Sequence, residues 1–542
     1  MCQKTDPPLF EQIPPEHSGI NFINRVEEGV GHNVLETEFF YNGGGVAVGD
    51  INNDGLTDIF FTANTTNNAL YLNRGDLQFE DITTTAGLAD STGWTAGASM
   101  VDINADGLLD IYVCKAGEVE VEERRNKLFI NQGDETFIDQ AADYGVDDPG
   151  YCTQPAFFDY DRDGDLDLYI VNYSVKPLSG FDLTEIRTQV DSYAGDKLYR
   201  NDDGRFTDVS QQAGIQQNPI GFGLSATVSD LNNDSWPDLF VTNDFVERDY
   251  LYINQGDGTF RDEIFSRTHL TSYFSMGSDI ADINNDGLPD ILVADMLPYE
   301  YERERTFKAP DYSMYDQLAA NGYHRQNMRN TLQLNNGDGT FTEIGRMADI
   351  SKSDWSWATV IADFDNDGHK DMFITNGFGR YYTNLDFLNE ILWKEYPNEN
   401  LPEDPEELYR LVQQMDEVQL HNFAFQNNGD LSFIDVSNQW GVGQRAISNG
   451  AAYADLDNNG TLDLIVNNIN DNPFIFRNNA RSRNGNSYLK VRLQGSSNNP
   501  FGIGAKLSVT DQVGNRVLPG TQSHKRISIF YGTGVYFWFG IS

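Results

Sequence analysis

The sequence predicts an all-β fold: a seven-bladed β-propeller of four-stranded blades, with a partial small β domain at the C-terminus. Three observations predict it. An acidic nonapeptide recurs seven times, apolar β-branched runs flank each copy, and an Asn/Gly-rich hairpin phrase follows. A constant core at variable spacing describes one structural unit carrying loop insertions of different size.

The nonapeptide reads Asp-x-Asn/Asp-x-Asp-Gly-x-x-Asp and begins at Asp50, Asp102, Asp159, Asp230, Asp282, Asp363 and Asp455. Before it stands a small, apolar stretch such as GGGVAVG; after it comes a run such as IFFTAN or LYIVNY. The hairpin phrase then appears as LYLNRGDLQF, LFINQGDETF, LYRNDDGRF, LYINQGDGTF, LQLNNGDGTF and FAFQNNGDLSF. Runs split by Asn/Asp/Gly turns read as hairpins, so each unit supplies four short antiparallel strands, the composition of a propeller blade.

Ring closure is legible too. An outer-strand phrase such as Phe79–Ile82 follows the acidic loops but is missing after the seventh, where FIFRNNARSRNG leads elsewhere. Phe10-Glu11-Gln12-Ile13 matches it near the N-terminus, so the last blade is expected to take its outer strand from there. The expected organisation is a tether over 1–9, a propeller over 10–480, and insertions at 175–197, 298–330 and 380–422. A further β segment is expected over 486–542. Pro405 suits a helix start within the last insertion.

Side-chain oxygens at positions 1, 3, 5 and 9 of a tight loop can converge on one centre, with the carbonyl of position 7, and Gly at position 6 permits the positive φ that folds the loop back. An all-oxygen set on a flexible loop favours Ca²⁺ over Mg²⁺, which keeps more of its water. The expected ligands are Asp50, Asn52, Asp54 and Asp58 in loop one, and Asp102, Asn104, Asp106 and Asp110 in loop two. Loop three offers Asp159, Asp161, Asp163 and Asp167; loop four Asp230, Asn232, Asp234 and Asp238. Loop five offers Asp282, Asn284, Asp286 and Asp290; loop six Asp363, Asp365, Asp367 and Asp371. Loop seven offers Asp455, Asp457, Asn459 and Asp463. Up to seven Ca²⁺ ions are expected. Loop four has Ser235 in place of Gly and loop seven has Asn459 in place of the third acid, so these two are expected to bind most weakly. Position 12 is Phe61 or Val113 where an EF-hand needs Glu, and strands flank both, which rejects that motif.

These residues carry a resemblance. The DxNxDGxxD loops with their hairpins resemble FG-GAP/VCBS repeats, as in integrin α-subunit propellers. The stretches SDWSWATVIADFDNDG (353–368) and SNGAAYADLDNNGTLDL (448–464) resemble bacterial propellers that end in an ASPIC/UnbV domain, relatives of cartilage acidic protein. YLKVRLQGSSNNPFGIGAKLSV, beginning at Tyr488, is similar to the start of that domain. The final SHKRISIFYGTGVYFWFGIS departs from the family's Gly-rich finish, so the domain reads as truncated or frame-shifted. The resemblance implies an exported, calcium-loaded, often surface-attached propeller and no established catalytic activity.

Charge and motifs bound the function. With 83 acidic against 37 basic side chains the chain carries a formal −46, which excludes unassisted nucleic-acid binding. No apolar run reaches membrane-spanning length. Three cysteines, Cys2, Cys114 and Cys152, are too few for a disulfide framework. Cys2, directly after Met1, is a candidate acylated cysteine of an outer-membrane lipoprotein and the one expected link to a membrane.

Seven scattered histidines and the absence of GxSxG, P-loop, CxxC and HExxH leave enzyme readings without a motif. Arg74-Gly75-Asp76 spells an integrin-recognition tripeptide, but it sits where sibling hairpins read NQGD and NNGD. Trp355 and Trp357 read as blade packing near the axis, with a sugar-stacking platform as the rival. The expected function is an extracellular or cell-surface calcium-binding module for a glycan or surface protein. The alternatives are a calcium-dependent polysaccharide lyase or hydrolase, with a base among Tyr299, Tyr301, Arg303, Arg305, His324 and Arg325, and a structural part of an outer-membrane assembly.

Overall fold

A computed structural model describes residues 7–37, 39–175, 183–310, 312–397, 401–505 and 536–541. Cys2 and most of the C-terminal stretch lie outside these. Six four-stranded antiparallel sheets are arranged as blades with a seventh that carries a short fifth strand, Leu420–His421, beside its inner strand. The first runs Val46–Gly49, Asp58–Phe61, Ala69–Asn73 and Phe79–Asp81 from axis to rim. The same inner-to-outer order holds in the blades after it.

Burial explains the residue choice along a blade. The second strands, such as Asp110–Ala116 and Asp238–Asn243, are buried at every position, because both faces pack against neighbouring blades; hence their continuous apolar runs. Outer strands bury only their first Phe and expose the next residue, as in Phe79–Asp81 and Phe137–Asp139.

The seventh blade takes its rim strand from the start of the chain: Phe10–Gln12 pairs antiparallel with Phe474–Asn478. Phe10 is buried and meets the rings of Phe364, Trp440 and Phe476. Blade-to-blade spacing at the rim depends on glycine. Gly441 and Gly19 have φ of 87° and 75°, and a Cβ on either would come within 2.6 Å of the Phe10 or Phe79 carbonyl of the next blade.

The seven inner strands surround an axial cavity of about 450 Å³. On the side away from the acidic loops the N-terminal segment packs across the blades: Phe39 stacks on Phe222 at 4.1 Å and meets Tyr173. The insertions lie on this side as well. Arg380 pairs with Glu28 at 2.7 Å, and the helix Pro405–Val412 is capped by the Asp404 side chain, which accepts from Glu406 N–H.

Cys114, on a second strand, and Cys152, on the inner strand of the next blade, are buried and form a disulfide. The count of three cysteines pointed away from a framework; the fold supports one bridge, because adjacent strands bring together residues 38 apart in sequence. On the acidic-loop side, the helix Ala480–Asn484 leads into Ser487–Arg492, which pairs with Tyr536–Ile541. Asn486 Nδ2 donates to Asn366 O, Arg481 to Asn459 O and Lys490 Nζ to Asn458 Oδ1, so this segment rests on loops six and seven. Among the described residues no helix is long and apolar enough to cross a membrane.

Two predictions follow from the packing. Phe10→Ala should destabilise the ring by about 3–5 kcal/mol, read from the denaturant midpoint, because it opens the closing seam. Asp196 is buried, accepts from Tyr169 Oη–H and Asn172 N–H, and is pushed by burial from 3.8 up to about 7. The folded state therefore binds this proton more tightly than the unfolded chain, and the stability it contributes at low pH is lost as pH rises from about 4 to about 7. Asp196→Asn should flatten that part of the stability–pH curve, measured by urea unfolding in constant Ca²⁺.

Candidate metal centres

Each acidic loop is built by its own carboxylates. In loop one, Asp50 accepts from the N–H of Asp54 at 3.0 Å and of Gly55 at 2.8 Å, while Asp54 accepts from Leu56 N–H at 2.8 Å. Position 9 ties three segments together: Asp58 Oδ2 accepts from Ile51 N–H and Oδ1 from Asn73 N–H on the third strand. The same pair of bonds recurs at Asp110, Asp167, Asp238, Asp290, Asp371 and Asp463. All seven of these carboxylates are 0% exposed.

Backbone geometry is shared as well. Position 4 is left-handed in every loop, at Asn53, Ala105, Arg162, Asn233, Asn285, Asn366 and Asn458. Position 6 has φ of 85–104° where it is Gly. Ser235 follows the same path at φ 75°, and its N–H still reaches Asp230. The departure at loop four therefore strains one residue and leaves the loop closed.

Burial pushes the position-9 acids up, Asp58 to about 8, Asp110 and Asp238 to about 7, Asp167 to about 9, and Asp290, Asp371 and Asp463 well above the usual range. Burial, with acidic neighbours behind it, also raises Asp159, Asp365 and Asp455 to about 6 and Asp363 to about 7. Groups held this way gain from a nearby cation.

Three loops gather carboxylates around a common point. The oxygens of Asp159, Asp161 and Asp167 lie within 4.8 Å of one another, as do those of Asp363, Asp365 and Asp371 and of Asp455, Asp457 and Asp463. In loop three Asp159 Oδ1 is buried without a hydrogen-bond partner. An unpartnered carboxylate oxygen among two others fits a hard cation. In loops one, two, four and five position 3 is Asn, whose amide N–H donates to the position-5 carboxylate. Loop seven keeps a three-carboxylate set despite Asn459, because its position 3 is Asp457.

Sequence reading missed the asparagine that ends each third strand. Asn73 donates through Nδ2 to Leu456 O of loop seven, and Asn131, Asn254, Asn335, Asn427 and Asn478 reach the corresponding carbonyl of the preceding blade. The signal was present in LYLN, LFIN, LYIN and their siblings, but it read as turn chemistry. The loops are also linked to one another. Asn53 donates to Gly107 O, Asn285 to Gly368 O, Asn366 to Gly460 O and Asn458 to Gly55 O.

Among the residues considered for a catalytic base, Arg305 lies over the Tyr301 ring at 5.1 Å, and three others have separate partners. Arg303 is held by Asp354 at 2.7 Å, and Tyr299 lies against Phe423 and His421. His324 is buried, with its ring nitrogens facing the Arg325 and Thr268 carbonyls. Trp355 is buried and stacks on Phe378 at 4.2 Å, while the Trp357 indole N–H donates to Gly377 O, so the pair packs the blade. Arg74 of the tripeptide pairs with Glu80 in its hairpin.

Comparison with known proteins places this architecture. The FG-GAP-like repeat profile matches residues 39–113, 119–170, 230–293 and 316–374. Human cartilage acidic protein 1 is 23% identical over 378 residues, 61% of this chain and 56% of that protein, so the chain spans little more than half of that relative. Mouse integrin alpha-7 is 42% identical over 84 residues, 14% of this chain and 7% of its own length. A solved exotype rhamnogalacturonan lyase, YesX, overlaps 81% of this chain and 72% of its own at 11% identity. Its TM-score of 0.37 is too low to bear on activity. Repeat phrases, blade geometry and sequence matches agree that the chain is a seven-bladed propeller carrying FG-GAP-like repeats.

Proposed function

We propose that the acidic loops bind Ca²⁺ and that the protein is an exported, non-catalytic propeller whose opposite face presents a binding surface for a glycan or a surface protein. The observation that carries the metal reading is the set of buried carboxylates in each loop, with Asp159 Oδ1 left unpartnered among Asp161 and Asp167. Bound Ca²⁺ would supply the charge that lets these acids stay ionised inside the fold. Asp159, Asp161, Asp163 and Asp167 would hold it in loop three, and the homologous positions would do so elsewhere.

Two features support export and surface binding. The Cys114–Cys152 bridge suits an oxidising compartment. The face opposite the loops is built by the insertions, which leave Tyr299 and Tyr301 46% and 67% exposed; insertions on a rigid scaffold are where binding residues concentrate.

Chelation tests this reading. Each site saturated at one hundred times its Kd contributes about 2.7 kcal/mol, so EDTA should lower the calorimetric Tm by many degrees and Ca²⁺ should restore it; an unchanged melt would exclude structural metal. Asp163→Ala, which removes a carboxylate from the most acidic loop, should lower the Ca²⁺-loaded Tm more than Asn459→Ala. Equal midpoints would count against ordering the loops by charge.

A further inference from the structure

The residue just before the third-strand asparagine varies with position 3 of the loop it faces. Where position 3 is Asn, as in loops one, two, four and five, that residue is Leu72, Ile130, Ile253 or Leu334. Where position 3 is Asp161, Asp365 or Asp457, it is Arg200, Gln426 or Arg477. The contacts explain the pairing. Gln426 Nε2 donates to Asp365 Oδ2 at 2.7 Å and Arg477 Nη2 to Asp457 Oδ2 at 2.9 Å. Arg200 makes two hydrogen bonds to Asp202 and brings its positive charge near Asp161. These are the three loops whose carboxylates gather within 4.8 Å.

We propose that this third-strand residue is a positioning residue that sets the charge and the donor geometry of each metal loop, divides the seven sites into two classes by composition, and so spreads their affinities. The proposal rests on the calcium reading above. In the first class three carboxylates face an apolar neighbour. In the second, the added position-3 carboxylate has one oxygen engaged by a strand donor in loops six and seven, leaving the other for the ion, and lies near the Arg200 charge in loop three. Loop three offsets its fourth carboxylate with the Arg200 guanidinium. Loop six keeps all four acids beside neutral Gln426, with one lysine, Lys370, near Asp363, and binds most tightly. Loop seven has three acids and gives one to Arg477, with Lys490 near Asp455, so it binds most weakly.

Native mass spectrometry across a Ca²⁺ titration counts ions on the intact protein. The last ion to enter should belong to loop seven, and Asn459→Ala should remove that step. Arg477→Leu installs the residue type of blades one and five at a side chain 45% exposed, and should move the last step to about tenfold lower Ca²⁺, as loss of a like charge beside a dication requires. Arg477→Gln, which copies blade six, should shift it the same way and covers the case in which the Leu variant does not fold. Gln426→Leu should move the first step to about tenfold higher Ca²⁺, the usual scale for losing an outer-layer partner. A last step unmoved within about twofold in the Arg477 variants, or an early step lost in Asn459→Ala, overturns the proposal while leaving calcium binding intact. Failure of every variant and the parent to retain any ion overturns both.

Discussion

Seven buried carboxylates govern this fold. The aspartate at position 9 of each loop accepts one backbone N–H from the loop and another from the third strand, so it fixes the turn and the strand order together. A buried charge with two amide donors is half satisfied, and burial still drives these groups toward protonation. A cation at the loop centre, as proposed, would resolve that conflict, since it favours the ionised form that the amides also favour. Blade geometry and the proposed metal affinity are then two readings of one electrostatic arrangement.

The same region joins the blades to each other. Asn73 and five counterparts couple their third strands to the loop of the preceding blade, and the position-4 asparagines couple loop to loop across five, six, seven, one and two. The bond from Asn458 to Gly55 crosses the point where the chain's two ends meet. At the rim the same junction is made by Phe10–Gln12 against Phe474–Asn478. Closure is therefore enforced at both radii, by hydrogen bonds between loops and by apolar burial at the edge, which leaves few free strand edges. Loops six and seven carry, in addition, the weight of the C-terminal segment through Asn486, Arg481 and Lys490.

The two faces have separate chemistry. The loop face is a lattice of short-range hydrogen bonds and carboxylates, tolerant of little change because each side chain serves two or three partners. The opposite face is made by the N-terminal segment and by insertions of differing length, packed through Phe39, Phe222, Trp355 and Phe378. A scaffold stabilised at one face leaves the other free to vary its loops, which is the physical basis for proposing binding on that side.

Much of this was legible in the amino-acid sequence because it is local. A nonapeptide whose first, third and fifth residues bond to N–H groups within five positions needs only its own residues to form, and seven copies with β-branched flanks determine blade number and strand order. The N-terminal rim strand was legible for the same reason, as a repeat phrase displaced to the front. Contacts between segments far apart in the chain were decided by the tertiary structure alone. The Cys114–Cys152 bridge, the reach of Asn73 to Leu456 and the pairing of Arg477 with Asp457 need neighbouring strands or blades to be in place before they exist. Asparagine ending a strand reads as a turn former until the preceding blade supplies its carbonyl, and the choice between blade packing and a sugar platform at Trp355 is made only when Phe378 covers its face.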